Sequence, residues 1–365
     1  MAMKLTAQIK LLPTPQQADL LLRTMQTANN ACNTISTYAW RHRRFRQYDL
    51  HHALYYDLRQ SFPLSAQMVV RCLSKVADAY KPGRQTKRRF RERGAIAYDG
   101  RILTYFEQDV SLWVLGGRQR IAFAVGAHQA RLLQHQRGAS DLVYRGGSFF
   151  LLATCEVPEP EEGATAGVLG VDLGIVQLAT DSDGASFSGA MIERKRQQYA
   201  AHRSGLQATG TRSAKRRLKQ VSGRQRRFQA HVNHVISKRL VEKAKDTNRA
   251  IALEVLTGLR ARVTVTRSQR SRHHNWGFGQ LRTFITYKAR LAGVPVVLVD
   301  PRGTSRTCAV CGHNEKANRK RQDLFECRSC GHRTNADVNA AVNIRVRAAV
   351  NRPIVAESAL GAVSF

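Results

Sequence analysis

The sequence predicts a multidomain α+β protein in which a small cysteine-rich element is set into an α/β half of the chain. Three observations predict this fold class: a Pro- and Glu-rich segment at 158–163 with the composition of a linker, apolar strand-like runs that alternate with helical stretches after it, and two CxxC pairs near the carboxyl end. A chain of 365 residues can bury a substantial core and hold two or three domains.

The half before the linker is predicted to begin and end with strands and to carry helices between them. Residues 4–11 alternate apolar and polar side chains, as a half-buried strand does. Helical spacing follows from Thr14, the first residue of a capping box, to about Tyr80. The segment 81–93 is basic, and strand-like pieces punctuated by glycine fill the region 95–157.

The half after the linker predicts a sheet covered by helices. Residues 167–172 and 175–180 form two strands that lead into an Asp-Gly turn. The runs 250–256 and 294–300 are almost continuously apolar, which is typical of parallel strands covered on both faces. The long stretch 191–249 is basic and predicted to be helical.

The cysteines divide into two classes. Two CxxC pairs separated by fifteen residues, each followed by glycine, are typical of a tetrahedral four-thiolate zinc site. Because the protein fills all four positions, the zinc is expected to be structural. The other three cysteines lie among apolar neighbours and predict ordinary buried thiols in a reducing compartment. The predicted zinc ligands are Cys308, Cys311, Cys327 and Cys330, and the predicted buried thiols are Cys32, Cys72 and Cys155.

Three isolated acids end or interrupt apolar segments of the second half. Asp172 ends a strand-like run between glycines, whose small size predicts room for a metal ion and a phosphate. Glu254 lies inside an apolar run, where an unpaired charge costs several kcal/mol unless a cation compensates it. Asp337 falls in the first turn of a helix capped by Thr334 or Asn335, where the helix dipole favours the ionised carboxylate. Together the three predict a site for two Mg²⁺ ions, one activating water and one stabilising a leaving 3′-oxygen.

The chain is strongly basic, with 59 Lys plus Arg against 26 Asp plus Glu, a net charge of +33 and a pI near 10.9. Such a charge predicts a polyanionic partner, with nucleic acid as the default. Residues 191–249 alone hold 17 Lys and Arg against three acids, a self-repulsion that a phosphate backbone would offset; a solvated helix face is the alternative interpretation. The candidate nucleic-acid contacts are Arg84, Lys87, Arg88, Arg89, Lys215, Arg216, Arg217, Arg224, Arg226 and Arg227, and Arg319, Lys320 and Arg321 are further candidates for phosphate contact.

Five segments surround the acids and the cysteines with a shared pattern. They are Gly170-Val-Asp172-Leu-Gly174, Leu253-Glu254-Val255-Leu256, Asp300-Pro-Arg-x-Thr304-Ser305-x-x-Cys308-x-x-Cys311-Gly312, Phe325-x-Cys327-x-x-Cys330-Gly331 and Ala336-Asp337-x-Asn339-Ala340-Ala341-x-Asn343-Ile344. This pattern resembles TnpB, a family of transposon-encoded RNA-guided nucleases related to the compact type V CRISPR effectors. The resemblance spans roughly residues 4–345 and is densest after 165. One departure is Val255, which follows Glu254 where the family often has aspartate; the ligand itself is kept, so cleavage is expected to survive.

The resemblance implies a RuvC-like RNase H fold whose acidic triad corresponds to Asp172, Glu254 and Asp337. It also implies a small β-barrel wedge domain interrupted by a helical recognition domain, and a guide RNA made from the transposon end. The domain ranges expected from it are 1–13 plus 81–160 for the wedge domain, 14–80 for the recognition domain, 165–303 plus 334–350 for the nuclease domain, 304–333 for the inserted zinc ribbon and 351–365 for a C-terminal tail.

The predicted function is that of an RNA-guided endonuclease of a transposable element, which cuts double-stranded target DNA beside a short recognition motif with a Mg²⁺-dependent site. One protein chain with one guide RNA is the expected assembly. No run of 18 apolar residues and no signal-peptide core occurs, so a cytoplasmic, nucleoid-associated location is expected and a membrane is not. Two alternatives stay open: an RNase H-fold transposase that acts without a guide RNA, and a guided DNA binder that does not cut. The second predicts the loss of at least one acid.

Overall fold

The computed structural model of the chain describes residues 2–255 and 277–350, and it divides into two compact units, Met1–Pro158 and Glu159–Phe365. The division falls at the start of the predicted linker. The predicted C-terminal tail and residues 256–276 of the predicted nuclease range lie outside the described residues. Within the described part of the chain, no helix is both long enough and apolar enough to cross a bilayer.

The first unit is built on a seven-stranded antiparallel sheet that curls into a nearly closed barrel. The two edge strands approach the rest of the sheet through side chains: the Tyr98 hydroxyl donates to the Trp113 carbonyl (3.0 Å), and the Tyr105 hydroxyl lies 2.9 Å from Ser140 Oγ. The strands are β1 (Ala2–Leu11), β2 (Ile96–Tyr98), β3 (Leu103–Tyr105), β4 (Asp109–Val114), β5 (Gly117–Ala124), β6 (Gln136–Arg145) and β7 (Ser148–Pro158), in the spatial order β2-β6-β7-β1-β5-β4-β3.

Three helices are inserted between β1 and β2, as the helical periodicity predicts. Thr14 and Gln17 form the predicted capping box, so the first helix begins directly after the first strand. Cys32 and Cys72 are buried where the first and third helices pack, and Cys155 is buried in the barrel, which confirms the prediction for all three thiols. The helices are α1 (Pro15–His42), α2 (Gln47–Ser61) and α3 (Ala66–Tyr80), and a short α4 (Ala127–Leu133) joins β5 to β6.

The second unit is built on a five-stranded mixed sheet in the order β10-β9-β8-β11-β12. The first three strands form an antiparallel meander, and β11 runs parallel to both β8 and β12, which confirms the parallel pairing predicted for the two apolar runs. The strands are β8 (Gly167–Asp172), β9 (Gln177–Asp181), β10 (Ser186–Ser188), β11 (Arg249–Glu254) and β12 (Val296–Val299); the helices are α5 (Ala190–Thr209), α6 (Arg212–Asp246), α7 (Phe278–Leu291) and α8 (Ala336–Val350). A short hairpin, β13 (Leu324–Glu326) with β14 (Arg333–Asn335), precedes α8.

Helices cover both faces of this sheet, and their packing explains why β11 lacks the alternation of a half-exposed strand. On one face Ile251 and Leu253 pack in a core with residues of α6 and α7. On the other face Ala250 and Ala252 pack in a second core that includes Ile344 of α8. Burial of both faces therefore requires an apolar residue at nearly every position of the strand.

Two aspartates fasten the turn between β9 and β10 to neighbouring elements. Asp181 is buried, and its carboxylate accepts from Lys243 Nζ of α6 at 2.6 Å. Asp183 forms two hydrogen bonds with the Arg249 guanidinium, at 2.9 and 2.7 Å. The Arg249 guanidinium holds the pKa of Asp183 well below its usual range. A carboxyl whose pKa is lower in the folded state stabilises the fold above its unfolded pKa, and this contribution is lost as the pH falls.

Replacement of Asp183 with asparagine is therefore expected to lower the free energy of unfolding by about 1 kcal/mol at neutral pH, and by much less at about pH 2 or below, where the carboxyl of the folded chain begins to take up a proton. Denaturant titrations of the wild type and the variant at both pH values measure this difference. Glu242→Gln is the matched control, because its ion pair with Lys238 is longer (3.5 Å) and more exposed. An equal effect of Asp183→Asn at both pH values contradicts the assignment.

Candidate active site and zinc cluster

Asp172 and Glu254 come together because they end neighbouring parallel strands. Val171 of β8 is paired with Leu253 of β11, so the next residue of each strand is an acid at the same edge of the sheet. Neighbouring strands lie about 5 Å apart, so the two acids are neighbours at this edge of the sheet. The sequence had suggested that Glu254 lies in the middle of its strand. In the structure it is the last residue of that strand.

Gly170, two residues before Asp172, allows α8 to pack directly on β8. A Cβ atom at Gly170 would lie 2.1 Å from the Ala341 carbonyl oxygen and 2.6 Å from the Arg345 nitrogen, so any side chain there would displace the helix. At Gly174 a Cβ atom would lie 2.6 Å from the carbonyl oxygen of Gln177. The predicted reason for these glycines, room for a metal ion, is thus replaced by two others: close packing of a helix and a tight turn.

Asp337 reaches the same region from the first turn of α8. Of the two predicted caps, Asn335 is the one used, since its Oδ1 accepts from the backbone nitrogens of Asp337 (2.9 Å) and Val338 (3.2 Å). The carboxylate of Asp337 forms an ion pair of 3.1 Å with Arg319. Arg319, a predicted phosphate contact, is therefore a partner of the third acid in this structure.

The three carboxylates are electrostatically coupled. Burial, together with the charges of Glu254 and Asp337, raises the pKa of Asp172 to about 7, while Arg319 opposes this shift. Burial also raises the pKa of Glu254 and of Asp337. For Asp337 burial is the largest cause of the shift, and the Arg319 guanidinium opposes it. Three partly buried acids that repel one another form a site that a cation would stabilise.

Glu254 has a hydrogen-bonding partner that the sequence pattern did not predict. The buried hydroxyl of Thr304 donates to Glu254 Oε1, and this bond lowers the pKa of the glutamate. Arg347 of α8, whose guanidinium donates to the Asp300 and Arg302 carbonyls, also lowers that pKa. The sequence shows Thr304 only as part of the Thr-Ser pair that precedes the first CxxC. This motif does not reveal that the threonine contacts Glu254.

The four predicted zinc ligands form one compact cluster. Their sulfur atoms all lie within 4.8 Å of one another, with Cys308–Cys330 at 3.7 Å and Cys311–Cys327 at 3.5 Å. A tetrahedral site with Zn–S bonds of about 2.3 Å has edges of about 3.8 Å, so the donor set fits Zn²⁺. These distances are too long for disulfides. Backbone nitrogens, first among them that of Cys330, hold the pKa of Cys327 at about 6, so this thiol is ready to bind as a thiolate.

The two halves of the cluster have matching turns. Gly312 N donates to Cys308 O (3.0 Å), and Gly331 N donates to Cys327 O (3.1 Å). Both glycines have positive φ angles, 75° and 71°, which β-carbon-bearing residues rarely adopt. The predicted requirement for glycine after each CxxC pair is therefore confirmed. Of the other predicted phosphate contacts here, Lys320 pairs with Glu326 (2.8 Å) and Arg321 lies 3.6 Å from Asp323.

The six basic residues predicted on the long helix have exposed side chains. They lie in the first half of α6, which begins after the Thr211 cap. Exposed positive charge along one helix is suited to a phosphate backbone. The six residues are Lys215, Arg216, Arg217, Arg224, Arg226 and Arg227.

The basic segment 81–93 of the first unit runs along α1, and side chains of α1 form hydrogen bonds with its backbone between Arg88 and Glu92. Asn33 bonds both backbone atoms of Phe90, with its Nδ2 donating to the carbonyl (2.9 Å) and its Oδ1 accepting from the nitrogen (2.8 Å). Ser36 Oγ donates to the Arg88 carbonyl (2.7 Å), and Asn29 Nδ2 donates to two carbonyls further along. These three side chains of α1 lie on one face of the helix and fix the path of the segment.

This course divides the predicted contacts of the segment into two groups. Arg88 turns inward: its guanidinium donates to the Gly83 carbonyl (2.7 Å) and lies 5.9 Å from the centre of the Tyr80 ring. Lys87 and Arg89, on either side of it, are exposed. We call Lys87, Arg89 and Arg91 the basic strip, because alternation along an extended chain places all three on its outer side. Arg84 is also exposed, and its guanidinium lies 5.2 Å from the centre of the Phe45 ring.

Two sequence families match the second half of the chain, and they divide the site between them. The family described as "Probable transposase" (OrfB_IS605) matches residues 153–255, which include Asp172 and Glu254. The family described as "Cas12f1-like, TNB domain" matches 278–344, which include the four cysteines and Asp337. The chain is also 35% identical over 128 residues to "TnpB-like protein MJ0751" of Methanocaldococcus jannaschii, covering 35% of this chain and 45% of that protein. Both parts of the site thus match the TnpB/OrfB_IS605 family or the related Cas12f1-like TNB domain.

Two further relatives extend this assignment. "CRISPR-associated endodeoxyribonuclease Cas12f1" of Sulfoacidibacillus thermotolerans is 34% identical over 197 residues, 49% of this chain and 45% of that protein. "Putative RNA-guided DNA endonuclease InsQ" of Escherichia coli is 31% identical over 198 residues, 49% of this chain and 48% of that protein. The chain thus spans about half the length of these curated relatives.

The fold of the chain is similar to that of the protein in one solved complex. The protein in "Cryo-EM structure of the Cas12f1-sgRNA-target DNA complex" matches with a TM-score of 0.65 at 14% identity, over 91% of this chain and 83% of that chain. At this low identity the match identifies the fold alone. It covers a barrel sheet, a mixed sheet and a four-cysteine cluster in one chain.

Proposed function

We propose that this chain is an RNA-guided DNA endonuclease that hydrolyses phosphodiester bonds with Mg²⁺ held by Asp172, Glu254 and Asp337. The observation that carries the proposal is the arrangement of these three acids: two end neighbouring parallel strands, and the third lies in the first turn of the helix packed on them. Burial and the charges of the other two acids raise the pKa of Asp172 to about 7, so the site favours a bound cation near neutral pH.

The donor set fits magnesium. All three residues offer carboxylate oxygens, the hard ligands that Mg²⁺ prefers, and each is partly buried. When bound, Mg²⁺ ions supply an activated water for attack on phosphorus and stabilise the charge on the leaving 3′-oxygen. The chain's own residues hold the ligands in place: Thr304 fixes one oxygen of Glu254, Arg319 holds Asp337, and α8 holds that residue against β8.

The second unit supports assignment as a RuvC-like RNase H domain. Three antiparallel strands followed by two parallel ones, with helices on both faces, place the acids at the carboxyl ends of the central strands. Ligand sites of mixed and parallel sheets commonly lie at such ends. The barrel with its three inserted helices is proposed as the wedge and recognition domains, and the cysteine cluster as the zinc ribbon.

The proposed partners are a guide RNA and double-stranded target DNA. Relatives named as RNA-guided endonucleases, and a similar fold in a complex with guide RNA and target DNA, support this pairing. The net charge of +33 and the exposed basic residues of α6 supply the electrostatic attraction to phosphate. In guided effectors base pairing reads the target sequence, and the protein contacts the backbone and a short adjacent motif.

The decisive experiment is to express the chain with its native flanking DNA, purify it and sequence the nucleic acid that remains bound. A discrete RNA from the adjacent element end supports the guided nuclease and supplies the guide for a Mg²⁺-dependent cleavage assay. Absent or random RNA, with retained binding to element-end DNA, favours the guide-independent transposase. Discrete RNA with guided DNA binding but no cleavage at any Mg²⁺ concentration favours the non-cleaving binder.

The basic strip gives a test of nucleic-acid binding in the first unit. Replacement of Lys87, Arg89 and Arg91 by alanine is expected to weaken binding of the guide RNA or its hybrid. The slope of log K against log salt is expected to fall by about 1 for each phosphate that the variant no longer neutralises. Filter binding or fluorescence anisotropy at several salt concentrations measures both quantities.

Arg88→Ala is the matched control for the basic strip. Its side chain points inward, so the variant is expected to keep the wild-type salt slope and to lose some thermal stability. If Arg88→Ala lowers the slope and the triple variant does not, the assignment of inner and outer side chains is wrong.

A further inference from the structure

The loop that leads into the first CxxC pair is fastened to α8 by two buried asparagines. Asn343 Nδ2 donates to the carbonyls of Thr304 (2.8 Å) and Thr307 (2.7 Å). Asn339, one turn earlier, donates to the Thr307 carbonyl (2.8 Å) and accepts from the Ala309 nitrogen (3.0 Å). Both asparagines are nearly inaccessible to solvent, so these bonds replace water at the loop backbone.

The same loop carries the hydroxyl that contacts Glu254. Thr304 is only 3% exposed, and its Oγ1 lies within hydrogen-bonding distance of Glu254 Oε1 and 3.0 Å from the Pro301 carbonyl. A hydroxyl has one hydrogen, and an ionised carboxylate is a stronger acceptor than a carbonyl, so the bond to Glu254 is favoured. Thr304 therefore joins the two: its backbone carbonyl accepts from Asn343, and its hydroxyl donates to the carboxylate of Glu254.

We propose that Thr304 is a positioning residue that orients Glu254 for metal binding and links its orientation to the zinc ribbon. The link is a continuous series of contacts: Cys308 is a predicted zinc ligand, the preceding loop is clamped by Asn339 and Asn343, and Thr304 in that loop holds Glu254. This inference rests on the proposed function, because it assumes that Glu254 is a metal ligand.

The geometry explains why the position needs a hydroxyl. A carboxylate that binds a cation through one oxygen keeps its orientation only if the other oxygen is also held. Thr304 occupies Oε1 and leaves Oε2 for the ion. The β-branched side chain has few χ1 rotamers, and the buried loop restricts it further, so the hydroxyl is held in place before any ion binds. Loss of such a hydrogen bond typically lowers metal affinity about 10- to 100-fold.

The test compares three variants of the full, zinc-loaded chain: Thr304→Val, Thr304→Ser and Thr307→Val. Mn²⁺ serves as the probe, and its binding is measured from the electron paramagnetic resonance signal of the free ion. Thr304→Val is expected to weaken the Mn²⁺ binding that depends on Asp172 about tenfold, and Thr304→Ser to restore most of it. Thr307→Val is the matched control, because its hydroxyl donates to Gly303 within the loop (2.9 Å) and not to a carboxylate.

The outcomes separate this inference from the function on which it rests. Asp172-dependent Mn²⁺ binding that is equal in wild type and Thr304→Val overturns the positioning role alone. Absence of Mn²⁺ binding that depends on Asp172 overturns the proposed metal site as well. Loss of affinity in Thr307→Val to the same degree, or failure of serine to restore binding, shows that the loop acts only through its folding. Zinc content and thermal stability of each variant are measured in parallel, so that a misfolded variant is recognised.

Discussion

Replacement of Asp172 by asparagine is expected to lower the rate of guided DNA cleavage by at least about a thousandfold. A carboxylate that holds a catalytic cation contributes several kcal/mol to stabilising the transition state, and asparagine keeps the shape but not the charge. The measurement is single-turnover cleavage of a labelled target by the purified ribonucleoprotein. Binding of guide RNA is expected to be nearly unchanged, because Asp172 lies at the sheet edge among the other acids and not on the basic surfaces.

Asp323→Asn is the control for this variant. It removes a negative charge near the same site, but its carboxylate is mostly exposed and pairs with Arg321. Cleavage by Asp323→Asn is expected to stay close to wild type. Cleavage at the wild-type rate by Asp172→Asn would remove Asp172 from the catalytic site.

The same substitution is expected to stabilise the protein in buffer without Mg²⁺. The pKa of Asp172 is about 7 in the folded chain and near 3.9 in an unfolded one, so its ionisation destabilises the fold as the pH rises through this interval. Asp172→Asn is therefore expected to be more stable than wild type at pH 8, by a difference on the order of 2 kcal/mol, and to differ little near pH 4. Denaturant titration at both pH values measures it, and added Mg²⁺ is expected to stabilise the wild type alone.

The second large effect is expected from loss of the zinc cluster. Cys327→Ser removes one of four thiolates, and zinc binding is part of the folding free energy of such small elements. The core of this element within the described residues is small, consisting of Cys308, Phe325, Cys327 and Ala336. We expect the variant to lose zinc, to unfold at a lower temperature and to lose most cleavage activity, since Ala336 directly precedes Asp337 in the first turn of α8.

Three measurements follow the loss of zinc: metal content, thermal unfolding and hydrogen exchange of the segment 304–345. Faster exchange is expected in the loop clamped by Asn339 and Asn343 and in the first turn of α8. Cys155→Ala is the control, because this buried thiol lies in the barrel of the first unit and is expected to leave the zinc content unchanged. Unchanged zinc content and stability in Cys327→Ser would refute the cluster.

Features that depend on neighbours in sequence were predictable from the sequence. The capping box joins Thr14 and Gln17, which are only three positions apart in the sequence. The turn after each CxxC pair likewise depends on the adjacent Gly312 or Gly331. The apolar run around Glu254 predicted a parallel strand, because a strand buried on both faces cannot alternate apolar with polar side chains. The motifs that flank the three acids identified these residues. The motifs did not predict their hydrogen-bonding partners or the direction of their pKa shifts.

The sequence by itself determined which residues carry the chemistry: four thiolates at metal-binding spacing, three isolated acids and a large excess of positive charge. Only the tertiary structure decided how they are held. Thr304 meets Glu254 across 50 positions, and Arg319 meets Asp337 across 18. Such contacts depend on how elements pack, because a side chain's partner is chosen by distance and by the loss of water around it, and neither is encoded in local spacing. For the same reason the upward shift of the Asp337 pKa, whose largest cause is burial, depends on how α8 packs.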